Sequence, residues 1–409
     1  MPRSPVVMVT LLTALAGLAG ADVPTIMNGP HPRDGLEKLR LREVWRAGGP
    51  DDEETLFGLV TDIGGDAEGN VYVFDGQLCQ VQVYDPDGQH LRTLFRQGEG
   101  PGETQSPRDM VMLPGGRVGA VQEFPGKIVM VDLQGTPAGS IIPGGGDPTR
   151  GGWMSLIAAA CRGEHLICTG EHPAPAEREN TQARTYFLAS FGPDGQERTR
   201  YLETHNVRDF ANFVFSERKD TPAFWWASEV GPDGRVYTVP DRDRYAISVF
   251  LADGTPDRVI EREYLPWKRT PAEFERIRLL YESAIGGISI PYSIKVEEYE
   301  PAISYWHRAL RVAEDGTLWV VSSRGIREQP EGIMLTYDVF DDRGHFIRQV
   351  AVPCEGDGVD DALFFIGRDT VVLVKGYLDS LAAQFGRGTA FSADGEEHHV
   401  PEIVYYRIL

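Results

Sequence analysis

From 69 to 88 the chain reads GNVYVFDGQLCQVQVYDPDG, and this stretch is one copy of a unit that recurs. The unit has a fixed grammar. An apolar strand meets a tight turn such as D-x-x-G, and a second strand of the type VYV follows. After a variable connection come a third strand of the type VQVY, another D-x-x-G turn and a final strand. Glycine in such turns takes positive φ without a Cβ clash, which suits short hairpins. Six matches are legible: 66–94; 113–142; RGEHLICTG from Cys161, resuming after a long insert as YFLASFGPDGQERTRYL; 231–260; EDGTLWVVSS with MLTYDVFDDRGHFIRQVAV; and IGRDTVVLV with FGRGTAFSADGEEHHV. Each is preceded by a further apolar segment: LFGLVTDI, PRDMVML, WMSLIAAA, FWWASEV, YWHRALRV and DALFFI.

Four strands per unit and six units predict an all-β fold, a six-bladed β-propeller of four-stranded antiparallel blades. LREVWRAG near Trp45 and IVYYRI at the C-terminus are expected to share one blade and close the ring. A β-sandwich uses only about seven strands, and the GH and WD dipeptides of WD-repeat propellers do not recur. The region of about 256–305 reads as a helix-containing insertion over one end of the propeller. Its Thr270-Pro271-Ala272-Glu273 is a capping box with proline at the first helical position. Phe274, Ile277 and Tyr281 share a helical face, and Gly286-Gly287 ends the helix.

The first 21 residues have the form of an export signal: Arg3, an apolar core VVMVTLLTALA, then Ala19-Gly20-Ala21. The propeller is then expected over 22–409, exported to the periplasm or beyond the cell, with no membrane insertion, since no apolar run reaches about 20 residues. A formal net charge of -21 argues against nucleic acid and against anionic lipid, both of which need clustered lysine and arginine. In an oxidising compartment Cys79, Cys161, Cys168 and Cys354 allow up to two disulfides in three pairings. They form no CxxC or Cys/His metal pattern.

The stretch GNVYVFDGQLCQVQVYDPDGQHLRTLFRQGEGPGE resembles the exported six-bladed propeller proteins of bacteria related to NHL-repeat domains, in which a D-x-x-x-x-x-V-x-V-Y-D stretch and a Gly-Pro-Gly-Glu connection recur. The resemblance extends over most of the chain after the signal and is strongest at 64–112. It implies the fold and an exported location, and no activity. In the GPGE connection, Pro101 fixes its own φ and Gly100 and Gly102 permit a reversal. Glu103 is expected to accept hydrogen bonds from backbone amides of that turn.

Candidate functional residues follow from the fold, because inner strands line a propeller's axial channel. They are Asp62, Arg108, Asp109, Trp225, Trp226, Trp306, His307, Arg308 and Asp361, with Ser155 a further inner-strand residue. Aromatics with arginine are the residue types that anchor partners, and Asp62 and Asp109 are potential partners for Arg308. The expected function is an exported, monomeric propeller binding a protein or a small-molecule ligand. No cofactor is predicted. The alternative is a metal-dependent hydrolase or lyase, lactonase-like, with Asp62, Asp109 and Asp361 converging on a hard cation such as calcium. Serine-hydrolase, zincin and P-loop motifs are missing. The Asp-rich turns lack the distal glutamate of a calcium loop, and His398-His399 reads as exposed tail.

Overall fold

Every residue of the strand Val71–Asp75 is buried, and strand alternation explains how. Successive side chains point to opposite faces of a sheet. Val71 and Val73 pack on one neighbouring sheet with Val372 and Ile403, whereas Tyr72 and Phe74 pack on the other with Met110 and Val118. The same division recurs around the molecule, giving six apolar clusters, one at each contact between adjacent sheets. A chain built this way has no single central core. It closes into a ring around an axis.

The structure, a computed structural model, describes residues 23–52, 55–145, 154–285, 289–304, 308–385 and 400–409. It is a six-bladed β-propeller. Blades 1 to 3 span 60–94, 107–141 and 155–209, each four antiparallel strands in chain order. Blades 4 and 5 span 228–262 and 310–352 and carry a fifth, parallel strand each, Thr25–Asn28 and Leu36–Lys38. Blade 6 takes three strands from 362–408 and its outer strand, Leu41–Gly48, from the other end of the chain, paired with Glu402–Ile408. The N-terminal segment therefore runs along two blade edges before closing the ring, which covers backbone groups that would otherwise stay open to pairing. Asn28 ties the two edges together: its amide donates to Glu261 O and Gly344 O, and its carbonyl accepts from Phe346 N.

Two repeats differ from their sequence reading. The long insert of the third is an extension of its hairpins, with strands His165–Pro175, Thr181–Phe191 and Glu197–Asp209 paired across nearly their whole length. In the sixth, the third strand is Glu402–Ile408 and not FGRGTAFSADG, which lies outside the described residues apart from Phe385. A helix, Tyr377–Phe385, occupies the connection instead.

Turn chemistry follows expectation. In the 85–88 turn, Asp85 Oδ1 accepts from Asp87 N and Gln89 N, and Gly88 sits at φ 87° with Trp45 so close that a Cβ would meet it at 2.6 Å. Glu103 accepts from Gly100 N at 2.8 Å and pairs with Arg96, bracing the connection between blades 1 and 2. A Cβ on Gly98 would lie 2.0 Å from the Glu103 carboxylate. All four cysteines are free; Cys161 and Cys168 face Leu166 and Ala159 across their hairpin, not each other.

The insertion follows the outer strand Pro256–Arg262 of blade 4. Its helix Pro271–Ile285 carries the capping box, with Glu273 N donating to Thr270 Oγ1 and Thr270 N to Glu273 Oε2. Ile277 and Tyr281 are buried and Phe274 is 37% exposed. Gly286 and Gly287 lie outside the described residues. The short strand Tyr292–Lys295 pairs in parallel with Phe213–Ser216 from the connection between blades 3 and 4. The insertion helix packs against the blade 6 helix. Among the described residues no helix is long and apolar enough to cross a membrane.

Candidate functional site

The inner strands of blades 1, 2 and 4 each bring one carboxylate to the axis, and the residue entering blade 5 brings a cation. Arg308 Nη2 donates to Asp62 Oδ2 at 2.6 Å and to Asp109 Oδ1 at 2.8 Å. The other oxygens of the two aspartates are held by backbone: Asp62 Oδ1 accepts from Ile63 N and Asp109 Oδ2 from Ala159 N of blade 3. Asp62 and Asp109 are buried, whereas 37% of the Arg308 side chain is reached by solvent through the channel. Glu229, on blade 4, faces the same space and accepts from Val230 N at 2.8 Å.

This waist divides the axis into two chambers. The upper one, about 150 Å³, opens on the end carrying the insertion and the blade 6 helix. Arg108, Trp225, Trp226, Phe364, Tyr377 and Leu381 wall it, and Arg308, Asp109 and Glu229 form its floor. The lower one, about 190 Å³, lies at the other ends of the inner strands and includes Asp62, Arg311 and Cys161.

Burial in the channel pushes the Asp62 carboxyl up; Arg308 pulls it down and the Asp109 carboxylate adds to the rise. Burial likewise raises Glu229, with Arg308 opposing. For Arg308 itself burial favours the neutral form, but Asp62, Asp109 and Glu229 outweigh it and hold the guanidinium charged well above its ordinary range.

Of the residues singled out from sequence, Asp62, Asp109 and Arg308 meet at the waist. Arg108 stands on the upper chamber wall, paired with Glu123 at 2.7 Å. Trp225 is buried edge-on against Tyr186, with its indole N–H on Gly170 O, so it is wall; Trp226 is 38% exposed at the mouth. Asp361 is not brought to the axis: its two oxygens accept from Gly376 N and Asp357 N and brace the loop leading into blade 6. Trp306 and His307, with His398 and His399, lie outside the described residues. Sequence reasoning passed over Glu229 and Tyr377. Glu229 sits nearer its hairpin turn than Asp62 does, pairing with Tyr237 in the second pair from the turn.

A hard cation needs about six oxygens at once. Here Asp62 and Asp109 converge on a guanidinium, Asp361 is bound elsewhere, and the described residues hold no group of three or more His, Cys, Asp or Glu arranged for a metal. The donor set does not fit calcium.

No protein-family description matches the chain, and no curated protein resembles it in sequence. Solved structures do resemble it in fold. One is a candidate exported protein from Bacteroides fragilis, 12% identical over 94% of this chain and 99% of that one, TM-score 0.49. Another is the calcium-binding protein regucalcin from Agrobacterium tumefaciens, 10% identical over 91% and 96%, TM-score 0.41. Virginiamycin B lyase from Staphylococcus aureus is 8% identical over 91% and 100%, TM-score 0.41.

Proposed function

We propose that the chain is an exported binding protein whose upper axial chamber takes a small ligand. One observation carries this reading: an open chamber, apolar on its walls and charged on its floor, lies at the decorated end of the ring. Ligand sites are concave and mostly apolar, with a few placed polar groups that fix orientation. The modest volume restricts the ligand to a small molecule, or to the tip of a larger one whose remainder rests at the mouth. Trp226 is the anchor at that mouth, an aromatic face partly in water and partly over the chamber. The hydrolase or lyase alternative has weaker footing, because Arg308 already occupies the point where Asp62 and Asp109 converge.

The test is a small-molecule thermal-shift screen on residues 22–409, followed by Trp226→Ala. The variant is expected to lose about tenfold or more in affinity for any chamber ligand. Its melting temperature should move by no more than about 2 °C, because the side chain is partly exposed. Binders whose affinity ignores Trp226 and Arg308 alike would sink the reading.

A further inference from the structure

We propose that the chamber's ligand is a small zwitterion, with a carboxylate and an ammonium group on one or adjacent carbons, as in a free α-amino acid. This rests on the binding reading above and names the ligand's chemistry. The floor offers two opposite and unused valences. Arg308 spends only Nη2 on Asp62 and Asp109, so Nε–H and Nη1–H have no hydrogen-bond partner among the described residues. Glu229 uses one oxygen on Val230 N, and its other oxygen has no hydrogen-bond partner among them. Both side chains face the upper chamber.

A ligand that fills the chamber excludes solvent from those groups. A buried charged group left without a partner costs more than the net gain of a typical hydrogen bond. A simple carboxylate would answer Arg308 and strand Glu229; a simple amine would do the reverse, with Arg308 repelling it. A neutral apolar molecule would strand both. A zwitterion answers both at once: its carboxylate accepts from the guanidinium, a strong charge-assisted contact, and its ammonium donates to Glu229. On the chamber wall Arg108 is already paired with Glu123. The substituent on the ligand then lies among Trp226, Phe364 and Leu381.

The experiment screens the standard amino acids against residues 22–409 by thermal shift. Calorimetry then compares the best binder with its analogues lacking the carboxylate, lacking the amine, or carrying a neutral amide in their place. The amino acid is expected to bind at least about tenfold more tightly than any of the three. Glu229→Gln should reduce it to the level of the amine-free analogue without lowering the melting temperature. Equal binding by a one-ended or neutral analogue overturns the zwitterion and leaves the chamber reading standing. Failure of every amino acid also overturns it, and the chamber reading then stands or falls on whether the wider screen yields Trp226-dependent binders.

Discussion

Two groups of arginine and carboxylate, one under the insertion and one at the channel waist, match their charges in opposite ways. Under the insertion, Glu217 accepts from Arg242 at 2.7 Å and from Arg269 at 2.7 and 2.8 Å, and its second oxygen also accepts from Glu297 N. Arg269 continues to Glu300, and Arg327 joins Glu300 to Glu273. Three arginines meet three glutamates, and the side chains of Glu217 and Arg269 are wholly buried. At the channel waist one arginine meets Asp62 and Asp109, which share a single nitrogen; Glu229 faces the same space, and solvent reaches the arginine. In the first group each glutamate is met by arginines of the same group, and these pairs tie the insertion to the propeller. The second keeps guanidinium N–H groups and a carboxylate oxygen without a hydrogen-bond partner among the described residues. Proton affinities carry the same contrast: burial raises Glu217, but Arg269 and Arg242 more than reverse it, whereas Glu229 stays raised.

The largest effect is expected from Arg269→Met. It leaves Glu217 and Glu300 in the interior without their central cation, and breaking a buried pair from one side costs about 3–5 kcal/mol. Urea denaturation should show that loss, and limited proteolysis should cut first within 263–304. A loss below about 1 kcal/mol would mean the network is as dispensable as a surface ion pair. Second comes Glu217→Gln, which keeps the shape and removes the charge, at about 2–3 kcal/mol near neutral pH. The sign of its pH dependence is fixed. The folded carboxyl titrates below its unfolded value, so its stabilisation is present above the unfolded pKa and is lost as pH falls through the folded one. The gap between variant and parent should therefore narrow on acidification.

The ring was legible because its determinants are local. A D-x-x-G turn needs its aspartate and glycine at fixed offsets, and VYV needs only alternation; both are written in adjacent residues. In blade 6 the closing pair of LREVWRAG with IVYYRI was legible, but FGRGTAFSADG was misread as a strand because the true third strand lies beyond an unrelated helix. The parallel edge strands are short and largely exposed, so no apolar period marks them. At the site, Asp62, Asp109 and Arg308 stood out because charge at the start of an apolar strand demands a partner or a channel. Asp361 satisfied the same rule, yet its partners are backbone amides of its own loop and of Gly376, which sequence does not display. Glu229 was hidden by register: its strand is three residues long, and only the fold shows that this glutamate reaches the axis.

The smallest and most discriminating prediction repeats the same substitution in the second group. Glu229→Gln removes a carboxyl that burial holds above its ordinary pKa and whose one hydrogen-bond partner among the described residues is the next backbone N–H. For an acid raised in the fold, the unfolded state releases its proton first as pH rises, so ionisation destabilises the fold progressively above the unfolded value of about 4.3. The glutamine variant lacks that penalty. It should match the parent at pH 4 and gain stability toward pH 8, by less than about 1 kcal/mol because the channel is open to water. Glutamate to glutamine thus changes sign between the two clusters, destabilising at 217 and mildly stabilising at 229. Thermal melts of both variants at matched pH read that sign directly. If Glu229→Gln instead destabilised the fold near neutral pH, Glu229 would belong with the insertion's network as a structural partner of Arg308, and the charged floor would lose its claim to be a binding surface.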